Sequence, residues 1–184
     1  MVPSADEVVR FLEAAPSLKT RAALATACAA GLRASETVSL KVADIDSGRM
    51  FIRIEHGKGG KGRTVMLSAR LLGILRTYWR LARPRHWLFA GREETKPLDV
   101  QVLHAACRSA CAAAGLAKRV TVHTLRHSFA IHLLENGADI RIIQVLLGHA
   151  NLSSTARYTQ VSNRLIRQTE SPLDRLSLEV APPS

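Results

Sequence analysis

The tightest constraint on the fold lies in residues 121–158, where helix-forming runs are cut into short pieces by capping residues and glycines. Leu125, Phe129 and Leu133 recur at every fourth position and give one helix an apolar stripe. His123 and Arg126 are three apart, so near the start of that helix they share a polar face. Asn136-Gly137 closes the helix, and Asp139 is placed to cap the next one. The second helix turns Ile142, Ile143, Leu146 and Leu147 toward a core. Gly148 ends it in a left-handed turn, which leaves His149 just beyond its end. Ser153 opens a third short helix, with Tyr158 about a turn further in. Each of the three helices thus delivers a polar group at its face or its end.

Upstream, the run 6–15 has the spacing of a short helix with Val8, Phe11 and Leu12 inward. Ser17 caps an Ala-rich helix that runs to Gly31, so Arg33 falls in the turn that follows. Ser35 is expected to cap the next short helix, with Glu36 in its first turn, where the helix dipole favours an acid. Residues 50–55 and 63–67 alternate, are rich in β-branched side chains and flank a Gly-rich turn, which predicts a β-hairpin. Ser68 starts a helix to about residue 82 with Leu71, Leu72, Leu75 and Trp79 inward. A loop over 83–97 surrounds a buried Trp87-Leu88-Phe89 patch, and a further helix covers 99–114. A last helix is expected over 163–169, followed by a frayed Ala-Pro-Pro-Ser end. The fold class is mainly α with a small antiparallel β-sheet (α+β).

Length and apolar content suit one folded domain: 184 residues, 47% hydrophobic and 22% charged. The charge balance is more selective. A formal net charge of +11 and a pI near 10.6 favour a polyanionic partner, most simply nucleic acid. An anionic membrane surface fits less well, because no basic amphipathic helix with exposed aromatics is present and aromatics are only 4%. No apolar run is long enough to span a bilayer, and the N-terminus lacks the pattern of a signal peptide. The expected location is the cytoplasm. Three cysteines, Cys28, Cys107 and Cys111, lie in Ala-rich helical runs and read as reduced thiols. Cys107 and Cys111 share a face but belong to no complete zinc-ligand pattern, so no metal site is expected.

His123-x-x-Arg126, then Leu147-Gly148-His149, then Tyr158 nine residues after that His form an ordered set. Gly31-Leu32-Arg33-Ala34-Ser35-Glu36 and Gly57-Lys58-Gly59-Gly60-Lys61-Gly62-Arg63 precede it. The constellation resembles the tyrosine recombinases, the phage-integrase and Xer-like site-specific recombinases. The resemblance implies the catalytic-domain fold of that family over residues 1–174, with 175–184 as a tail. It also implies that the N-terminal helical domain, which closes a clamp on the far side of the duplex, is not included. DNA binding is then expected to be weak and salt-sensitive. The implied reaction cuts and rejoins double-stranded DNA through a 3′-phosphotyrosyl intermediate, without metal, ATP or other cofactor and with no small-molecule substrate. The implied assembly is a tetramer on two DNA sites, with a C-terminal segment such as 163–178 exchanged between neighbours. The free chain is expected to be a monomer, with no membrane partner.

Chemistry and resemblance together assign roles. A phosphodiester gains negative charge on its non-bridging oxygens during attack, and without a divalent cation fixed donors must meet it. Arg suits this because its planar fork can be bidentate and stays ionised, which points to Arg33 and Arg126. Tyr158 is the nucleophile, and His123 the base in cleavage and acid in religation. Lys58 is assigned to protonate the departing 5′-oxygen; its choice over Lys61 rests on the resemblance. His149 adds a hydrogen bond to the phosphate. Glu36, an acid beside a phosphate site, orients His or Arg side chains. Lys61, Arg63 and Arg157 either touch the DNA backbone or face water, and His127 is structural.

Two local patterns mislead. The Gly57–Gly62 run fits G-x-G-x-x-G, but a strand follows it where a dinucleotide site needs a helix, and no acid stands at the required distance downstream. His123-x-x-x-His127 lacks the Glu after its first His that a zinc protease helix requires. Two rival functions remain open: a DNA-relaxing enzyme of the type IB topoisomerase kind, and an inactive or accessory DNA-binding module.

Overall fold

The computed structural model describes residues 3–55, 62–148 and 171–176. Among them are helices α1 (Ala5–Glu13), α2 (Leu18–Ala30), α3 (Ala34–Val38), α4 (Ala69–Ala82), α5 (Val100–Ala113), α6 (Val122–Glu135) and α7 (Ile140–Leu147). Strands β1 (Ile45–Asp46), β2 (Phe51–Ile54) and β3 (Arg63–Met66) complete the described elements, with short 3-10 turns at Val42–Asp44 and Pro172–Arg175. The helices expected around Ser153 and over 163–169 lie outside the described residues.

Helix α2 is the centre, packed by α1, α3, α4, α5 and α6. Every residue from Thr20 to Ala30 is buried, and seven of those eleven are alanines or leucine. Methyl side chains let neighbouring helices approach from all sides, so α2 needs no single apolar stripe. The Ser17 hydroxyl accepts the Thr20 amide at its start, and Gly31, at φ +63°, ends it. Gly31 is required twice over. Its backbone is left-handed, and a Cβ there would lie 2.5 Å from Phe129 Cδ1. Gly31→Ala is therefore expected to lower unfolding free energy by about 2–5 kcal/mol, the sum of left-handed strain and overpacking. Denaturant titration reads this as a lower midpoint with an unchanged slope.

Local rules explain most of the rest. Thr121, Asp99 and Asp139 cap α6, α5 and α7 as N-terminal acceptors, and Gly148 closes α7 at φ +61°. Leu125, Phe129 and Leu133 are buried along α6, and Ile143, Leu146 and Leu147 along α7, with Ile142 partly covered. The sheet runs β1-β2-β3, antiparallel throughout, with Ile52 opposite both Ile45 and Val65, and Ile54 opposite Arg63. The hairpin matches the sequence pattern. The two-residue β1 does not, because it is too short to alternate and exists only by pairing with β2.

Three expectations are corrected. Trp79 is 40% exposed, and Tyr78 is buried in its place, continuing the face set by Leu71 and Leu75. The Trp79 ring instead carries Arg83, whose Cζ lies 4.8 Å from the ring centre. Helix α3 is capped at Arg33 and not at Ser35, because the Glu36 carboxylate reaches back to accept the Arg33 backbone N–H at 2.8 Å. Trp87 is only half-buried, its indole N–H donating to the Thr95 carbonyl, while Leu88 and Phe89 are in the core.

Residues 171–176 dock on their own chain. Ser171 Oγ donates to the Ala29 carbonyl at 2.9 Å, and Asp174 accepts the Arg70 backbone N–H. Leu173 and Leu176 are buried. Leu176, assigned to the tail by its sequence position, thus belongs to the core, in a stretch expected to be available for exchange with a neighbour. Cys28, Cys107 and Cys111 are free, and burial pushes the thiols of the first two up to about 12. Among the described residues no helix is long and apolar enough to cross a membrane.

Candidate active site

Glu36 is the hub on which the described site residues converge. Its side chain is 2% exposed. Oε1 accepts from Arg33 Nη1 at 2.9 Å and from Arg63 Nη1 at 2.6 Å. Oε2 accepts from Arg63 Nη2 at 2.8 Å and from the Arg33 backbone N–H, while Arg126 Nη1 stands 3.8 Å away. Arg63 is therefore a two-pronged partner, the geometry that makes Arg–carboxylate pairs strong. Burial alone would push the Glu36 carboxyl up. Hydrogen bonds from Arg63 and from the Arg33 amide outweigh burial and hold it at about 2.

The guanidiniums are held from behind by backbone carbonyls. Arg63 Nε donates to Leu146 O at 2.9 Å. Arg126 Nη1 donates to Gly31 O at 2.6 Å, and its Nη2 donates to Leu147 O. These acceptors are the C-terminal ends of α2 and α7, where the helix dipole favours a cation. Burial, and then the neighbouring Arg33, pull the Arg126 guanidinium down to about 10, so it stays ionised at neutral pH.

Three cations around one carboxylate leave a net charge of +2 (three minus one). The cluster meets solvent mainly at Arg33, whose side chain is 44% exposed against 12% for Arg63 and 9% for Arg126. His123 is exposed on the first turn of α6, three residues before Arg126. It borders a cavity of about 560 Å³ whose other walls include His104, Arg108 and Arg119. His127 is exposed one turn further on.

The structure thus brings Arg33, Glu36, Arg63 and Arg126 together and puts His123 on the helix of Arg126. Every side-chain partner of Glu36 is an Arg, which narrows the expected orienting role. Arg63, read from sequence as a DNA contact or a solvated side chain, instead turns its guanidinium inward onto Glu36 and Leu146. The carbonyls of Gly31, Leu146 and Leu147 were not anticipated; the glycines that mark both helix ends were the available signal. Lys58, Lys61, His149, Arg157 and Tyr158 lie outside the described residues. Among the described residues no group of His, Cys, Asp or Glu is clustered to hold a metal ion.

Residues 3–164 match the model of the phage integrase family. The chain belongs to that family. Integrase/recombinase y4qK of Sinorhizobium fredii is 50% identical over 176 residues, covering 96% of this chain and 57% of its own length. The crystal structure of XerA recombinase superposes with a TM-score of 0.76 at 32% identity, covering 91% of this chain and 62% of that one. XerH, solved on a palindromic difH substrate after cleavage, gives a TM-score of 0.70 at 27% identity, covering 91% and 52%. The chain therefore spans little more than half the length of these relatives. Its mostly helical fold with a small antiparallel sheet is that of tyrosine recombinase catalytic domains, a family of DNA strand-transferases.

Proposed function

We propose that this chain is the catalytic region of a site-specific DNA recombinase that cuts and rejoins strands through Tyr158. The observation that carries the reading is the Glu36-centred cluster: three guanidiniums, net charge +2, opening to solvent at Arg33. Such a site suits a phosphodiester whose negative charge rises during attack, since its donors are fixed before the reaction begins. Arg33 meets a non-bridging oxygen from the open side and Arg126 from its carbonyl-braced position. His123 moves the proton of Tyr158, Lys58 protonates the leaving 5′-oxygen, and His149 adds a further donor. Lys61, Arg157 and the basic wall of Arg108 and Arg119 beside His123 take flanking backbone phosphates. The net charge of +11 and the substrate-bound state of the relative XerH support double-stranded DNA as partner. The assembly follows the same reading: monomer when free, tetramer on paired sites, in the cytoplasm.

The test is a trapping reaction in EDTA with nicked duplexes of randomised sequence, quenched in detergent. Peptide mass spectrometry is expected to find a nucleotide adduct on Tyr158. Measurable DNA binding with no adduct would overturn the catalytic reading in favour of an accessory DNA-binding module.

A further inference from the structure

We infer that Arg63 is a positioning residue of the strand-transfer site, locking the root of the β2–β3 hairpin to Glu36 and to the C-terminal turn of α7. The inference rests on the catalytic reading above and adds a residue to it. Arg63 is the first residue of β3, directly after the Gly-rich run that carries Lys58 in the sequence. Its three nitrogens reach two separate elements: Nη1 and Nη2 bind both oxygens of Glu36 in α3, and Nε binds Leu146 O in α7. The guanidinium also packs beneath the glycine that ends α7. A Cβ on Gly148 would meet Arg63 Cδ at 3.0 Å and Nη1 at 3.1 Å, so a side chain there would push Arg63 by a few tenths of an ångström, in addition to straining the left-handed backbone.

Arg63 and Arg126 then hold successive carbonyls at one helix end, Leu146 and Leu147. Arg126 also stands against Glu36, so the two arginines close a loop of contacts among α3, β3, α6 and α7. Arg33 completes the loop by sharing Glu36 Oε1 with Arg63. Without Arg63, the carboxylate keeps Arg33 on one side and a more distant Arg126 on the other, and Leu146 loses a donor. Arg33 and Arg126 are then free to drift relative to one another. A displacement of about 1 Å at a reacting centre lowers rates by about 10²-fold. Little DNA affinity should change, because the 12% exposed Arg63 side chain offers scant surface to a ligand.

The experiment compares wild type with Arg63→Met and Arg63→Lys. Adduct formation on nicked duplex is followed in single turnover at saturating protein, beside DNA affinity across a salt series. Arg63→Met is expected to slow the rate of the reacting fraction by about 10²-fold, with affinity within about twofold and the salt slope unchanged. Arg63→Lys, which keeps the charge but not the fork, recovers only part of that rate. Two results overturn the inference. One is weaker binding with a salt slope lower by about one and an unchanged saturating rate, which makes Arg63 a phosphate contact. The other is a smaller adduct amplitude at an unchanged rate, which makes it a folding residue only.

A wild type that forms no adduct would remove the catalytic reading instead. The positioning contact is then read without activity, by NMR titration of the Glu36 carboxyl. Arg33 on its own helix and Arg126 from α6 still face that group in Arg63→Met. Its titration is expected to move to higher pH, and an unmoved titration overturns the inference.

Discussion

Glu36→Ala is expected to lower the unfolding free energy at pH 7 by about 3–5 kcal/mol, the range for removing one partner from a buried ion cluster. Glu36 is 2% exposed and lies among Arg33, Arg63 and Arg126, so its loss leaves three cations in one place without a counter-charge. The titration of Glu36 supports the same scale. A carboxyl held at about 2 against an ordinary 4.5 corresponds to roughly 3 kcal/mol. The sign follows from a lowered folded-state value: this stabilisation is complete above about pH 4.5 and is lost as pH falls toward 2. Wild type and Glu36→Ala should therefore differ fully at pH 6–7 and converge through the acid range. Urea unfolding at several pH values checks this. A difference that does not shrink below pH 4 would mean that the carboxylate charge is not what stabilises the cluster. Strand cleavage should fail in the same variant even where it remains folded, because Arg33 and Arg126 then repel without restraint.

Arg126→Lys is expected to slow Tyr158 adduct formation by about 10²–10³-fold, the usual effect of removing one preorganised donor from a developing oxyanion. Lysine keeps a positive charge but cannot donate in a fixed fork. Arg126 now reaches Gly31 O and Leu147 O and still has N–H groups left for a ligand; an ammonium that satisfied those carbonyls would lie short of the phosphate. DNA affinity should change by less than about threefold, since the 9% exposed side chain contributes little to ground-state contact. Single-turnover cleavage beside equilibrium binding separates the two. A saturating rate within threefold of wild type would remove Arg126 from the transition state and leave it a brace between two helix ends.

What could be read from the sequence depended on range. Caps at Ser17 and Asp139 and the closures at Gly31 and Gly148 obey rules that act within four residues, and all are found. The stripes on α1 and α6 also survive folding, because their period alone decides which face is buried. Trp79 and Tyr78 are neighbours, and helix period leaves either within reach of the inner face; the choice belongs to the packing around α4. The Glu36–Arg63 pair spans 27 residues, and an Arg beside a Gly-rich turn reads locally as solvated. The family was legible because motifs fix both spacing and chemistry, and the same motifs pointed to Arg33 and Arg126. Their mutual geometry was not, since it is built from carbonyls that carry no side-chain signature. For Lys58, Lys61, His149, Arg157 and Tyr158 the sequence remains the whole argument.

Helix α2 has one more consequence. Alanine has no rotamers to lose or exchange, so the six alanines among the thirteen residues of α2 order their part of its surface without side-chain entropy cost. Its end delivers the Gly31 carbonyl that braces Arg126 and, two residues later, Arg33 itself. The candidate site is therefore built on a support about half of whose side chains have no rotamers to exchange.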